Sequence, residues 1–430
     1  MENSILEIVT NQKLILDKAL KGDYIERTIL PKAKELAKTS LIKVIIGPRR
    51  TGKSILSMLL LKDQPFAFLN LDDNYLSDIL KETKNYNGLL NIMFTVYGNV
   101  KTILFDEIQN LNGWELFANR LHREGYNVFL TGSNAKLLSR ELATHLTGRH
   151  FPIEVLPFSF KEYLTAKKYE LRPNVEIVGK GELLNHLNKY MVNGGYPEIV
   201  INDFNPNDYL SNLFDSVMYK DVISKHKIGL PQKRIINLCS HAINSATKEF
   251  SYTSLQDIIE VKSVETVEKY LGFLEESYII FVLNRFSNST KKRIKSPKKF
   301  YVVDNGFISV KAVRISPDYG KLMENLVFAE LLKRGIKPNL DLFYYKTRNN
   351  KEVDFVIRKA INADSLIQVS YDIEDPKTEK RETSALIEAS EELNCNNLLL
   401  ITWDREEIKK INGKEIQYIP LWKWLLYGNN

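Results

Sequence analysis

Short apolar runs alternate with stretches of helical periodicity through the first 160 residues. Five such runs are rich in β-branched or aromatic residues, and they predict buried strands at residues 41–46, 66–71, 102–105, 127–131 and 151–156. Before the first run, apolar residues at helical spacing predict a helical lead-in over residues 1–40. This succession of strands and helical segments predicts an α/β fold.

The pattern changes twice in the rest of the chain. Residues 157–225 predict a series of helices, and residues 231–303 predict three helices followed by two strands. Thr253 or Ser254 is the predicted N-cap of the second of these three helices, and Ser263 that of the third. From about residue 315 the predicted order is a helix, three strands, a second helix and a further strand. We therefore predict four domains, with bounds at residues 1–160, 161–228, 229–312 and 313–430.

Composition narrows the class of protein. The chain has 430 residues, of which 44% are hydrophobic and 26% charged, as is usual for a globular protein with a large core. We find no apolar run of membrane-spanning length and no signal-peptide pattern. Only Cys239 and Cys395 are present, without metal-type spacing, so we expect a cytoplasmic protein with neither a disulfide framework nor a cysteine zinc site.

The first chemical motif follows the first predicted strand. Residues 47–54, Gly-Pro-Arg-Arg-Thr-Gly-Lys-Ser, match the P-loop pattern G-x-x-x-x-G-K-[ST] at every fixed position. A strand before the loop and a helix after it give the context in which backbone N–H groups hold a polyphosphate. We predict that ATP is bound by Gly47, Pro48, Arg49, Arg50, Thr51, Gly52, Lys53, Ser54 and Ile55.

A second motif supports the first. The third apolar run ends in Asp106-Glu107, which is the Walker B pattern. Asp106 and the Ser54 hydroxyl would hold Mg²⁺, and Glu107 would act as general base toward the attacking water. Lys53 would reach the β- and γ-phosphates, and the helices of residues 161–228 would form a lid over the nucleotide.

Two further positions are candidates for catalysis, each with a structural alternative. Ser133 or Asn134, after the fourth strand, would contact the water or the γ-phosphate, or would simply build a Gly-Ser-Asn turn. Arg149 or Arg140 would reach the γ-phosphate, either in its own subunit or in a neighbouring subunit of a homo-oligomer, or would pair with a surface acid.

The three-helix segment suggests a binding partner. Three helices followed by a two-stranded ribbon are typical of a winged helix-turn-helix, which binds DNA or serves as a protein-contact module. The net charge is +7, and residues 291–299 contain six basic residues and no acid. We predict that Lys262, Lys269 and the lysines of residues 291–299 contact DNA; the alternative for this basic stretch is a solvated loop.

The last region has the element order of the PD-(D/E)-x-K nuclease core. Glu324 and Asp354 would be its first two acids, but the third motif is Gln368-Val-Ser370 in place of acid-x-Lys. A metal-dependent hydrolase needs clustered carboxylates and usually a lysine. We therefore predict a degenerate site, unless Lys377 or Lys380 replaces the missing lysine.

These motifs together resemble a large prokaryotic family of AAA+-type ATPases fused to a C-terminal domain of unknown function. The resemblance depends on residues 47–54, 104–109, 130–134, 194–197, 296–301 and 350–354. It implies ATP binding, a five-stranded parallel core and a degenerate nuclease-like tail. The leading hypothesis is an ATPase that drives or gates a conformational change. The alternatives are a nucleotide-gated DNA-binding switch with little turnover and an ATP-dependent nuclease.

Overall fold

The computed structural model describes residues 2–83, 85–133, 148–170, 177–202, 204–229, 232–312 and 317–428. The chain forms two compact units, residues 1–156 and residues 157–430. Among the described residues, no helix is both long and apolar enough to cross a membrane.

The first unit is built on a five-stranded sheet. Its strands are β1 Ile42–Ile46, β2 Phe66–Asn70, β3 Thr102–Asp106, β4 Asn127–Gly132 and β5 His150–Glu154. All neighbours are parallel in the order β2-β3-β4-β1-β5. Its α-helices are α1 Glu2–Ala19, α2 Leu30–Ala37, α3 Lys53–Leu61, α4 Asn74–Thr83, α5 Tyr86–Tyr97 and α6 Trp114–Arg123. The predicted α/β fold with a parallel sheet is confirmed.

The sheet of the first unit is covered on both faces by buried apolar clusters. Successive side chains of a strand point to opposite sides, so each strand contributes to both clusters. Val44 and Ile46 belong to one buried cluster and Ile45 to another, and Phe105 and Leu104 divide in the same way. Central parallel strands buried on both faces are mostly apolar, as are residues 44–46 of β1 and residues 103–105 of β3. Because β3, β4 and β1 are adjacent and parallel, their carboxyl ends lie at the same end of the sheet. The polar residues of the predicted site lie at this end.

The second unit begins with helices and a small sheet. The helices are α7 Phe160–Ala166, α8 Ile177–Asn193, α9 Pro197–Asn202, α10 Pro206–Ser216, a π-helix Val217–Ser224, α11 Lys233–Asn244, α12 Tyr252–Ile258, α13 Val264–Glu276, α14 Thr290–Lys295 and α15 Asn305–Lys311. The sheet has the order β6-β8-β7, with β6 Glu249–Phe250, β7 Ile280–Asn284 and β8 Lys298–Val302. The predicted antiparallel pairing of the last two strands is confirmed.

Within this segment the structure differs from the sequence prediction in two details. Ser251, not Thr253 or Ser254, is the N-cap of α12, since its side chain accepts the N–H of Ser254. The basic stretch is not a plain loop between two strands, because α14 occupies part of it. Ser263 is the N-cap of α13, as predicted.

The remainder of the second unit is a six-stranded mixed sheet in the order β13-β14-β12-β11-β10-β9. Its strands are β9 Leu342–Lys346, β10 Glu352–Lys359, β11 Asn362–Ser370, β12 Leu398–Thr402, β13 Glu407–Ile411 and β14 Lys414–Pro420. Its helices are α16 Tyr319–Lys333, α17 Pro376–Leu393 and α18 Leu421–Tyr427. The predicted elements are present, whereas β13, β14 and α18 were not predicted.

The loop Gly194-Gly195, to which the sequence assigned no role, packs against Asp304 within the second unit. A Cβ on Gly194 would lie 1.7 Å from Asp304 Oδ1, and Gly194 has φ +78°. The Gly195 N–H donates to Asp304 Oδ2 at 2.8 Å. Gly194 is therefore required by its close approach to a buried carboxylate, and Gly195 because a Cβ there would lie 2.4 Å from Phe158 O.

Candidate functional site

The P-loop of the first unit forms a tight backbone turn between β1 and α3. Gly47 has φ +147°, and a Cβ there would lie 2.1 Å from Val155 O. Gly52 has φ +87° and Arg50 has φ +63°, so the loop passes twice through the left-handed region before the helix starts. Such a turn directs successive N–H groups inward and makes a concave anion site at a helix N-terminus.

Side chains of the P-loop reinforce this turn from within. The Lys53 ammonium is buried and donates to Pro48 O at 2.7 Å, and the Thr51 hydroxyl donates to the same carbonyl at 2.9 Å. Lys53 therefore lies folded across the loop, where an incoming phosphate oxygen could replace the carbonyl as its partner.

Asp106 lies beside the P-loop, as the Walker B assignment predicts. The Ser54 hydroxyl donates to Asp106 Oδ1 at 2.9 Å, and the Thr131 hydroxyl donates to the same oxygen. Asp106 ends β3, Thr131 lies in β4, and Ser54 begins α3. Adjacent parallel strands and the loop thus bring the two predicted magnesium ligands into direct contact.

Neighbouring groups shift the pKa of the Asp106 carboxyl in opposite directions. Burial raises the pKa of its carboxyl, and the nearby Glu107 charge acts in the same direction. The hydrogen bonds from Thr131 and Ser54 and the charge of Lys53 oppose that rise. A buried carboxylate next to a hydroxyl is an oxygen donor set suited to Mg²⁺, and a bound cation would favour its ionised form.

Glu107 is oriented by its neighbours. Its φ of +53° is left-handed, and its N–H donates to the Thr131 hydroxyl oxygen at 3.0 Å. The Gln109 side-chain amide donates to Glu107 Oε2. The left-handed backbone turns the chain directly after Asp106, at the end of β3.

Three residues at this site were not identified from sequence. Thr131 joins the two acids, Gln109 holds the Glu107 carboxylate, and Arg27 holds the loop. Arg27 is 8% exposed and donates to Thr51 O at 2.7 Å and to Leu156 O at 2.6 Å. Thr131 was available as a signal, since it is a polar residue near the carboxyl end of a buried strand, whereas nothing local marks Arg27.

The other predicted catalytic residues lie apart from this contact set or outside the described residues. Ser133 is buried directly after β4. Asn134 and Arg140 lie outside the described residues. Arg149 directly precedes β5, and its backbone carbonyl accepts the Ile42 N–H at 2.9 Å, at the amino end of β1.

The position of Arg149 limits its role. A five-residue strand spans about 16 Å, and the P-loop follows the opposite end of β1. The Arg149 side chain is exposed and donates to Asn119 Oδ1 at 3.2 Å. A role at the P-loop of its own subunit is therefore wrong on geometric grounds, whereas a role in a neighbouring subunit stays a prediction.

A second set of predicted residues meets within the second unit. The Lys299 ammonium lies 3.0 Å from Glu324 Oε1 and 3.6 Å from Asp354 Oδ1. The Asp354 N–H donates to Gln368 Oε1 at 3.2 Å. The three residues of the predicted degenerate nuclease-like site are thus neighbours, together with a lysine from the basic stretch that is predicted to contact DNA.

That placement corrects the predicted DNA-contacting set. Lys298 and Lys299 are 7% and 1% exposed, because both lie in β8 and their side chains are packed inside the unit. Neither can meet a DNA backbone as the structure stands. Lys291, Lys292 and Lys295 are exposed, as are Lys262 and Lys269.

Comparisons with known proteins agree with this geometry. Residues 39–164 match an AAA domain, and residues 184–318 and 319–424 match two domains of unknown function, DUF8612 and DUF4143. An uncharacterized protein of Methanocaldococcus jannaschii is 37% identical over 90% of this chain and 88% of its own length. The chain belongs to this family of AAA-domain proteins. A second uncharacterized relative, from Haemophilus influenzae, is 30% identical over 89% of this chain and 94% of its own.

Two solved structures show lower similarity to this chain. The Walker-type ATPase PABY2304 of Pyrococcus abyssi has a TM-score of 0.40 and 17% identity, covering 67% of this AAA-domain protein and 96% of that chain. AMPPCP-bound DnaA from Aquifex aeolicus has a TM-score of 0.25 and 18% identity, covering 58% of this chain and 86% of that one. The AAA match identifies the parallel-sheet unit as an ATP-binding domain of the P-loop class.

Proposed function

We propose that this protein hydrolyses ATP and that hydrolysis drives or gates a conformational change of its C-terminal region. The observation that supports this most directly is the hydrogen-bonded set of Ser54, Asp106 and Thr131 beside the P-loop. Ser54 belongs to the P-loop motif, Asp106 is a candidate magnesium ligand, and the Thr131 hydroxyl also accepts the N–H of Glu107.

The residues present suit Mg·ATP. Backbone N–H groups of residues 49–54 would hold the phosphates, and the Ser54 hydroxyl with the Asp106 carboxylate would hold Mg²⁺. When Mg²⁺ is bound, negative charge on the β- and γ-phosphate oxygens is partly neutralised. Lys53 would exchange the Pro48 carbonyl for phosphate oxygens and stabilise the charge that develops in the transition state.

Glu107 would act on the attacking water. Its carboxylate would accept a proton as the water oxygen bonds to the γ-phosphorus and the bond to the ADP oxygen breaks. The Gln109 amide fixes one of its oxygens, leaving the other to face the water. Ser133 or Asn134 would contribute a hydrogen bond to the water or the γ-phosphate, and residues 161–228 would close as a lid.

Arg149 would complete a site in a neighbouring subunit of a homo-oligomer. Its place at the edge of the sheet opposite the P-loop leaves it exposed for such a contact. An arginine supplied in trans is a known means of stabilising the transition state of phosphoryl transfer.

Phosphate release from Mg·ATP, compared between the wild type and the Lys53→Ala and Glu107→Gln variants, tests the proposal. We expect sustained release by the wild type only. Equal rates for all three proteins, or no release by the wild type above a reaction with EDTA, would overturn it.

Replacing Thr131 with valine is expected to lower the turnover of ATP about tenfold or more. The change removes one donor to Asp106 and the acceptor of the Glu107 N–H, and a hydrogen bond to a charged group contributes about 1.5–3 kcal/mol. Steady-state phosphate release measures the effect. Thr131→Ser keeps the hydroxyl and is the matched control. A valine variant as active as the serine variant would show that Thr131 does not organise the site.

A second candidate function is nucleic-acid binding by the segment that includes α11 to α14. Its order of three helices and an antiparallel pair of strands agrees with a winged helix-turn-helix. The helix α13 has four glutamates and one lysine, so it is a poor partner for DNA. The basic surface is instead α14, none of whose residues is buried.

Under this second proposal, simultaneous replacement of Lys291, Lys292 and Lys295 by alanine should weaken DNA binding and flatten its salt dependence. For each lysine that pairs with a DNA phosphate, its removal should reduce the slope of log K against log[salt] by about 0.9. A binding titration at several salt concentrations measures this, with ATP present. The matched control replaces the exposed Lys161, Lys359 and Lys410. Equal slopes for both triple variants would contradict DNA binding through α14.

A further inference from the structure

The acidic centre of the second unit encloses a lysine. Lys299 lies in β8 of the three-stranded sheet, while its ammonium contacts carboxylates from α16 and β10 of the neighbouring part of the same unit. Its Nζ lies 3.0 Å from Glu324 Oε1, 2.6 Å from Glu352 Oε1 and 3.6 Å from Asp354 Oδ1. Three carboxylates thus converge on one cation.

Burial distinguishes this lysine from a catalytic one. The Lys299 side chain is 1% exposed, and those of Asp354 and Glu324 are 8% and 14% exposed. A lysine that assists a hydrolytic reaction has to reach water or substrate. Lys299 instead fills the point on which the carboxylates converge.

Further hydrogen bonds fix the acids in place around the ammonium. The Tyr301 hydroxyl donates to Glu324 Oε1 at 2.7 Å, and the Val369 N–H donates to Asp354 Oδ2 at 2.9 Å. The Gln368 amide, in the position of the missing acid, donates to Glu382 Oε2 at 2.6 Å. Glu324 and Asp354 are therefore held in place beside Lys299.

The charges are complementary in this buried place. Burial alone would lower the pKa of Lys299, but the charges of Glu324, Asp354 and Glu352 together outweigh it and raise that pKa. Burial, followed by the charge of Glu324, raises the pKa of Asp354, and Lys299 opposes that rise. The lysine therefore keeps its proton and supplies the positive charge that the acids require.

We propose that the Lys299 ammonium is the resident cation of this centre, occupying the position that a divalent metal ion would otherwise take. The centre then joins the three-stranded and six-stranded sheets and binds no metal ion while Lys299 is in place. The proposal stands apart from ATP hydrolysis at the P-loop.

Manganese binding to the full-length, nucleotide-free protein tests the proposal. Every variant includes Asp106→Asn, so that the P-loop centre does not contribute, and bound Mn²⁺ is counted by electron paramagnetic resonance. We expect no bound Mn²⁺ with Lys299 intact, about one ion per chain after Lys299→Ala, and none again after Lys299→Ala with Asp354→Asn. Lys298→Ala is the matched control, since Lys298 donates to Ile294 O and Ser296 O and not to the acids.

Two results would overturn the proposal. One is Mn²⁺ bound while Lys299 is present and absent after Asp354→Asn, which would show that lysine and metal do not compete. The other is a folded Lys299→Ala protein that binds no Mn²⁺. Lys299→Met, which keeps the length of the side chain without its charge, replaces the alanine variant if that one does not fold. The measurement with Lys299 intact needs no substitution at this residue, and Mn²⁺ bound there would contradict the proposal whether or not the Lys299 variants fold.

Discussion

Replacing Lys53 with alanine is expected to lower the rate of ATP hydrolysis by about 10²–10³-fold, the usual consequence of removing a charge-stabilising donor from a phosphate or oxyanion site. ATP binding should weaken as well, because the lysine contacts the phosphates before and during the reaction. Phosphate release measures the first effect and calorimetric titration with ATP measures the second.

The result depends on where the ammonium lies before ATP binds. It is buried and already directed into the loop, where it donates to Pro48 O at 2.7 Å. Its ordering is therefore largely complete before the nucleotide arrives, which reduces the entropic cost of binding. Removing the hydrogen bond to Pro48 should lower the free energy of unfolding by about 0.5–1.5 kcal/mol, so chemical denaturation must accompany the kinetics.

Lys62→Ala is the matched control for Lys53→Ala. Lys62 caps the opposite end of α3 and is exposed, so its removal alters the same helix without touching the loop. We expect wild-type turnover from it. An alanine at position 53 that left turnover and ATP affinity unchanged would mean that the loop does not hold the triphosphate.

The elements of the nucleotide domain could be predicted from sequence because their signals are local. Each strand of the parallel sheet is a short apolar run, and the residues after β1 and β3 have fixed chemistry at fixed spacing. Parallel pairing then places Ser54 and Asp106 at one edge of the sheet. The contact between these two side chains is the part of the prediction that follows most directly from the motif.

The residues that sequence missed depend on contacts between distant segments. Arg27 precedes α2 by three residues, yet its partners are the carbonyls of Thr51 and Leu156. Lys299 lies in a run of basic residues that looks solvated, yet pairing of β8 with β7 turns it into the interior toward Glu324. All five residues of β8 are buried, so the position of the strand within the unit decides this, and the high polarity of the stretch concealed it.

Arg149 shows a different limit. A residue directly before a strand lies at the amino end of that strand, and ligands of parallel sheets bind at the carboxyl ends. This rule was sufficient to exclude a role at the P-loop of the same subunit. The sequence alone does not give the arrangement of a second subunit, on which a role in trans depends.

Replacing Glu107 with glutamine is expected to reduce ATP hydrolysis by about 10²–10⁴-fold, the range that general-base catalysis contributes. ATP affinity should stay near that of the wild type, because Glu107 would act on the water and not on the phosphates. Lys53→Ala should therefore lower both turnover and ATP affinity, whereas Glu107→Gln should lower turnover alone.

The Glu107→Gln variant removes the basic carboxylate of residue 107 and leaves the position of its side chain unchanged. Its backbone N–H still donates to the Thr131 hydroxyl oxygen, and its amide oxygen still accepts from Gln109. Phosphate release and calorimetry on the same sample separate the two effects, with Glu124→Gln, an exposed position just after α6, as control. A glutamine variant that hydrolyses ATP at the wild-type rate would transfer the role of base to another group. A glutamine variant that bound ATP poorly would show that the charge of Glu107 supports the binding site itself. The shape of the side chain is unchanged in this variant, and only its charge and its capacity to accept a proton differ.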